Sequence, residues 1–141
     1  MGLDMCLYIC DSKLKLADLK IMNYEVFKHK CKDVMYWRKA NQIHNWFVTN
    51  VQDGKDDNGY HEVTRDKLLE LYQIIEELIV RDKFSITKCK LKLPTKLGFF
   101  FGTQKYDLSY RIDLLDTLVQ LRPLIYNTDF KKQKIIYHSS W

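Results

Sequence analysis

The residues best equipped for chemistry lie together in Tyr36 to Phe47, YWRKANQIHNWF, where two tryptophans, two cations, two asparagines and a histidine share twelve positions. Indole rings stack on planar groups, Arg38 and Lys39 neutralise anions, and Asn41 and His44 offer directed hydrogen bonds. On a helix of 3.6 residues per turn, Tyr36, Ala40, Ile43 and Phe47 form one apolar stripe facing a core. Trp37, Asn41, His44 and Val48 form a second stripe about 100° round, adjoined by Arg38 and Asn45. That second stripe is the expected ligand contact. His44 also has a structural reading, as a half-buried ring bonded to backbone or to an acid, and Arg38 and Lys39 have one as a solvated helix edge. Trp37 and Trp46 project to opposite sides, so one is expected in the core and the other against a ligand ring or a partner.

Other chemistries lack their parts. No GxSxG elbow, no GxxxxGK[ST] loop and no GxGxxG occurs, and His29, His44, His61 and His138 are scattered. Neither a catalytic residue nor a cofactor is expected. Cys6, Cys10, Cys31 and Cys89 include no CxxC pair, so no metal site or disulfide is expected. The acidic loop QDGKDDNG at residues 52–59 resembles a calcium loop only superficially. Placing Gly54 or Gly59 at the sixth position puts Thr49 or Gly54 at the first, where a carboxylate is needed. Asp4, set among Leu3 and Met5, needs a donor such as Arg38, Lys39 or Arg111.

The elements that must position these residues follow from periodicity. A strand is expected over Leu3 to Ile9, anchoring Met1 and Gly2, then a short helix over Ala17 to Met22 and a strand over Tyr24 to Lys30. A first long helix spans Val34 to Val51, capped by Asp33. A second runs from Thr64 to Val80, with Leu68, Tyr72, Ile75 and Ile79 inward. Lys88 to Leu93 reads as a lysine-protected edge strand, and GFFFG at Gly98 to Gly102 as a buried strand. A third helix covers Asp107 to Leu121 until Pro123 stops it, and Lys134 to His138 is a last strand before Trp141, expected to be tucked in. The expectation is a single α+β domain over residues 1–141, three helices on a small mixed sheet.

At 141 residues the chain is long enough for one core without staples. Nine tyrosines, seven phenylalanines and three tryptophans favour large contacts. The net charge of +5 and pI of about 8.9 are spread over lysines, with only five arginines, a poor match to a nucleic-acid binder and a fair one to small anions. No signal peptide and no apolar run near twenty residues is seen, so a cytosolic, non-membrane protein is expected.

MGLDM at the start, YWRKANQIHNWF, LPT followed by GFFFG at Leu93 to Gly102, Tyr106 with Asp107, and the closing SSW together resemble a widespread group of small phage and prophage proteins. Their amino terminus usually reads MGLDMYL; this chain has Cys6 in place of the tyrosine, and its segment from Asp11 to Lys32 is its own. The resemblance implies a phage-encoded accessory protein acting in the host cytosol, and small phage proteins of this kind often counter host defences. The leading expectation is therefore a non-enzymatic binder that sequesters an anionic, nucleotide-type second messenger. Trp37 or Trp46, Phe101 and Tyr106 would stack on the base, Arg38, Lys39 and Lys105 would meet phosphate, and Asn41 and His44 would read the base edge or ribose. The alternative is an inhibitor docking the same face onto a host defence protein. A hydrolase using His44 with Asp4 or Asp107 comes third. A homo-oligomer is compatible with each.

Overall fold

The computed structural model describes residues 2–141; the expected anchoring of Met1 lies outside them. A four-stranded sheet forms from β1 (Asp4–Asp11), β2 (Lys32–Arg38), β3 (Tyr60–Val63) and β4 (Gln133–Ser140), in the order β2-β1-β4-β3. Every pairing is antiparallel, so the sheet is not mixed. Among the described residues six helices accompany it: α1 (Leu16–Ile21), α2 (Tyr24–Lys30), α3 (Asn41–Asn50), α4 (Arg65–Val80), α5 (Ile86–Lys92) and α6 (Leu108–Asn127). The α+β class is as expected, with twice the helices.

Period-two alternation sends the two faces of the sheet into different cores. Leu3, Met5 and Leu7 of the first strand region, with Met35, Trp37, Ile135 and Tyr137, meet α3, α4 and α6 in the main core. Cys10, Cys31 and Ile136 face the other way, into a smaller cluster with Leu19, Tyr8 and Phe27 under α1 and α2. All four cysteines are free thiols.

The largest correction falls on the expected first helix. Residues 32–38 are a strand, and the helix begins only at Asn41. The switch occurs at Lys39, which takes φ +57. Met35 and Trp37 point into the core while Tyr36 is half exposed, so Tyr36 leaves the stripe that Ala40, Ile43 and Phe47 do form. Asp33 caps nothing; it pairs with Tyr8 in the sheet.

Tyr24–Lys30 is helix, not strand, because the Asn23 side chain accepts from the Val26 amide and Lys28, His29 and Lys30 sit at its carboxy end. Residues 88–93 are likewise not an edge strand: Cys89 and Leu93, four apart, are both buried below the turn of α5. GFFFG is a looped segment in which Phe101 turns inward and Phe99 and Phe100 outward. Helix α4 starts as expected, the Thr64 hydroxyl accepting from the Lys67 amide at 3.2 Å. Helix α6 runs through Pro123 to Asn127. The carbonyl that a residue-123 amide would have reached belongs to Val119, on the exposed face, where water can serve it. Trp141 is half exposed, its ring edge against Phe101. Among the described residues no helix is long and apolar enough to cross a membrane.

Candidate functional site

The polar face of α3 turns inward. Asn41 is 1% exposed, and its amide nitrogen donates to the carbonyls of Phe101 (3.0 Å) and Thr103 (2.9 Å) while its oxygen accepts from the Lys96 amide (3.0 Å). One turn on, the Asn45 amide donates to the Pro94 carbonyl at 3.0 Å. These bonds replace the ladder that the irregular segment 94–103 lacks. Asn41 therefore builds the loop and does not read a ligand.

His44 also belongs to the interior. It is fully buried, with Nδ1 2.6 Å from the Tyr137 hydroxyl, Nε2 2.9 Å from Asp56 Oδ1, and the ring edge-on to Phe101. Trp37 is 3% exposed and donates its indole N–H to Thr117 Oγ1 at 2.8 Å; Trp46 packs on Phe47. Phe101 is buried too. Four of the expected contacts, Trp37, Asn41, His44 and Phe101, are thus core residues, as is the alternative Trp46. The acid beside His44 is Asp56, neither Asp4 nor Asp107: Asp4 is engaged by Arg38 and by the Tyr36 hydroxyl, and Asp107 caps α6 through the Tyr110 amide.

The three expected cations do converge. Arg38, Lys39 and Lys105 line one cavity of about 290 Å³ together with Gln42, Thr95, Gly102, Thr103, Ser109, Tyr110 and Asp113. Arg38 reaches its rim from the end of β2, and Nη1 also bonds Asp4 Oδ1 at 2.8 Å. The Tyr36 hydroxyl and Arg38 hold the Asp4 carboxyl below its usual range. Lys39 is fixed by its amide donating to the Leu3 carbonyl at 2.8 Å. Lys105 comes from the stapled loop, its amide bonded to the Thr103 hydroxyl. Ser109 and Tyr110 bring the first turn of α6, whose amino end favours negative charge. Tyr106 lies just behind, its hydroxyl accepting from the Thr95 amide at 3.1 Å and its ring beside Tyr110.

The floor holds a carboxyl. Gln42 Nε2 sits 3.3 Å from Asp113 Oδ2 and 3.4 Å from the Tyr110 carbonyl. Burial pushes Asp113 up to about 6, the Gln42 amide pulling it back and Asp116 and Asp107 adding to the rise. The Tyr110 hydroxyl is already spent on the Leu93 carbonyl at 2.7 Å. Gln42, Asp113, Thr95, Thr103 and Ser109 escaped the sequence reading. Only Asp113 left a signal there, as a carboxylate placed between Tyr110 and Thr117 on the inward half of an apolar helix.

Among the described residues no cluster of His, Cys, Asp and Glu could hold a metal ion. Compared with known proteins, the chain matches no family model, no curated protein and no solved structure.

Proposed function

We propose that the chain binds a small phosphorylated ligand in the cavity between the end of β2, the 94–105 loop and the start of α6. The observation that carries this reading is the convergence of Arg38, Lys39 and Lys105, from two separate segments, on one polar cavity beside a helix amino end. Gln42, Asp113, Thr95 and Thr103 line the same walls and suit hydroxyl or N–H groups on the rest of the ligand. Ligand pockets usually span about 300–1,000 Å³, so 290 Å³ fits a mononucleotide or sugar phosphate and is tight for a dinucleotide. Base stacking on Trp37 or Trp46 is dropped because both are buried. In the phage-type accessory role that the sequence resemblance suggests, such binding would sequester a nucleotide signal in the host cell.

The test is a melting screen with mononucleotides, sugar phosphates, pyrophosphate and inorganic phosphate. A ligand at a hundred times its dissociation constant should add about 2.7 kcal/mol. Lys39→Ala and Lys105→Ala should each lose the shift while melting cooperatively on their own. If no phosphorylated compound moves the curve, the reading is wrong. Chromatography of ligand recovered after denaturation separates binding from cleavage.

A second reading has its own observation. Leu97, Phe99 and Phe100 are exposed together on the loop that borders the cavity, and apolar loop tips are typical protein contacts. Docking onto a host defence protein would be abolished by serine at Phe99 and Phe100, with phosphate binding left intact.

A further inference from the structure

Helix α6 carries apolar residues on two faces. Tyr110, Leu114, Thr117, Leu121 and Ile125 are buried, on the side that packs against α4. Leu108, Ile112, Leu115, Val119 and Tyr126 are spaced four, three, four and seven apart and are between 44% and 72% exposed. At about 100° per residue the exposed set lies within roughly 40° of a single line, some 140° from the buried set. A surface helix with one apolar stripe is ordinary; a second stripe in water, in register over three turns, needs a partner.

The residue types specify which partner. Spacings of four and three define a coiled-coil seam, in which Leu108 and Leu115 take the d positions and Ile112 and Val119 the a positions. Within parallel coiled coils, β-branched residues at a with leucine at d favour two strands over three or four. The flanks agree. Arg111 falls at g and Asp116 at e, five residues apart, which in a parallel pair sets each Arg111 against the Asp116 of the other copy. Antiparallel pairing matches g with g and e with e, opposing Arg111 to Leu118 or Ile125 and leaving Asp116 without a cation. Both charged side chains are exposed: Arg111 lies over the Phe84 ring and Asp116 accepts from Gln120.

The match ends where it should. The next d position is Arg122, whose guanidinium lies 6.0 Å from the Tyr126 ring, so the seam covers two heptads. Two heptads are too few for free peptides, which must first form the helix, but here the domain holds α6 already folded.

We propose that the protein is a parallel, two-fold symmetric dimer joined through this face of α6. A second copy presents the same stripe and the same Arg111 and Asp116, as a self-complementary interface requires. Ser109, at the e position that opens the seam, also lines the anion cavity, so both cavities sit at the same end of the dimer beside the interface.

Sedimentation at roughly 10–100 µM, where a modest interface assembles, tests this directly. The wild-type chain should sediment as a dimer, and Leu115→Lys as a folded monomer. Val119→Lys, at the most exposed position of the stripe, gives the same readout should Leu115→Lys fail to fold. Arg111→Asp or Asp116→Arg alone should weaken the dimer roughly tenfold or more, and the R111D/D116R double swap should restore it. A wild-type monomer at 100 µM, or a dimer indifferent to both lysine variants, overturns the interface. Failure of the swap to restore association overturns the parallel register.

Discussion

The Nδ1 atom of His44 lies 2.6 Å from the Tyr137 hydroxyl, and both side chains are cut off from solvent. With Nε2 at 2.9 Å from Asp56, one proton arrangement serves every group: a neutral ring donating from Nε2 to Asp56 and accepting from the tyrosine hydroxyl at Nδ1. Tyr137→Phe removes that donor and leaves a buried acceptor unpaired. A loss of about 1–3 kcal/mol in urea denaturation, at unchanged m, is expected. A change within a few tenths would mean that the bond contributes nothing.

The same ring shows what periodicity can and cannot deliver. Spacings of four, three and four at Tyr36, Ala40, Ile43 and Phe47 fit a helix, yet β2 and α3 abut across Lys39 and Ala40 alone. The break is a lysine at φ +57, where a glycine would have announced it. A helix begun at Val34 places Trp37 on the wrong face and turns the α3 amides outward, whereas residues 32–38 are strand and the helix begins at Asn41. The outer frame was legible because its signals are local: strands at both ends, the Thr64 cap, and the long stripes of α4 and α6. Arg38, Lys39 and Lys105, grouped by their charge, do line one cavity. Gln42 and Asp113 were not, since only the packing of α3 on α6 brings them together.

Titration of the interior has two opposed parts. Burial lowers His44 from its ordinary 6.5 against the pull of Asp56, and it lowers His138 likewise. The native state therefore binds fewer protons than the unfolded chain; the stability these rings contribute is present above 6.5 and lost as pH falls through their folded pKa values. Asp113 runs the other way: raised from 3.8 to about 6, its contribution is full below 3.8 and lost as pH rises through 6. Asp113→Asn should thus stabilise the protein at pH 7 to 8 by on the order of 1 kcal/mol, after discounting for the partial exposure of the carboxyl, and change nothing near pH 3.5. Melting curves across that range check it; equal shifts at both ends would contradict the assignment.

Binding should report the same proton. In the proposed site, ionised Asp113 should oppose an anion that Arg38, Lys39 and Lys105 would attract. Sulfate keeps its charge over this range, so its affinity should fall as pH rises from about 5.5 to 7.5 in the wild type and stay flat in Asp113→Asn. Calorimetric titration at the two pH values decides; parallel behaviour of the two proteins would place Asp113 outside the anion's reach.

Two glycines separate backbone strain from site geometry. Gly54 has φ +79 and open space where a Cβ would stand, whereas Gly102 has φ +93 and would set its Cβ 3.0 Å from Lys39 Cβ and 3.2 Å from the Lys39 carbonyl. Gly54→Ala should cost only the conformational strain, about 1 kcal/mol, and leave anion binding alone. Gly102→Ala adds a collision with a residue that is itself held at φ +57 and bonded to Leu3, so Lys39 has little freedom to retreat. The expected loss is about 2–3 kcal/mol, with weakened sulfate binding as the Lys39 ammonium is displaced from the cavity wall. Equal losses in the two variants, with binding preserved in both, would show that Lys39 yields freely and that the close approach at Gly102 does not shape the site.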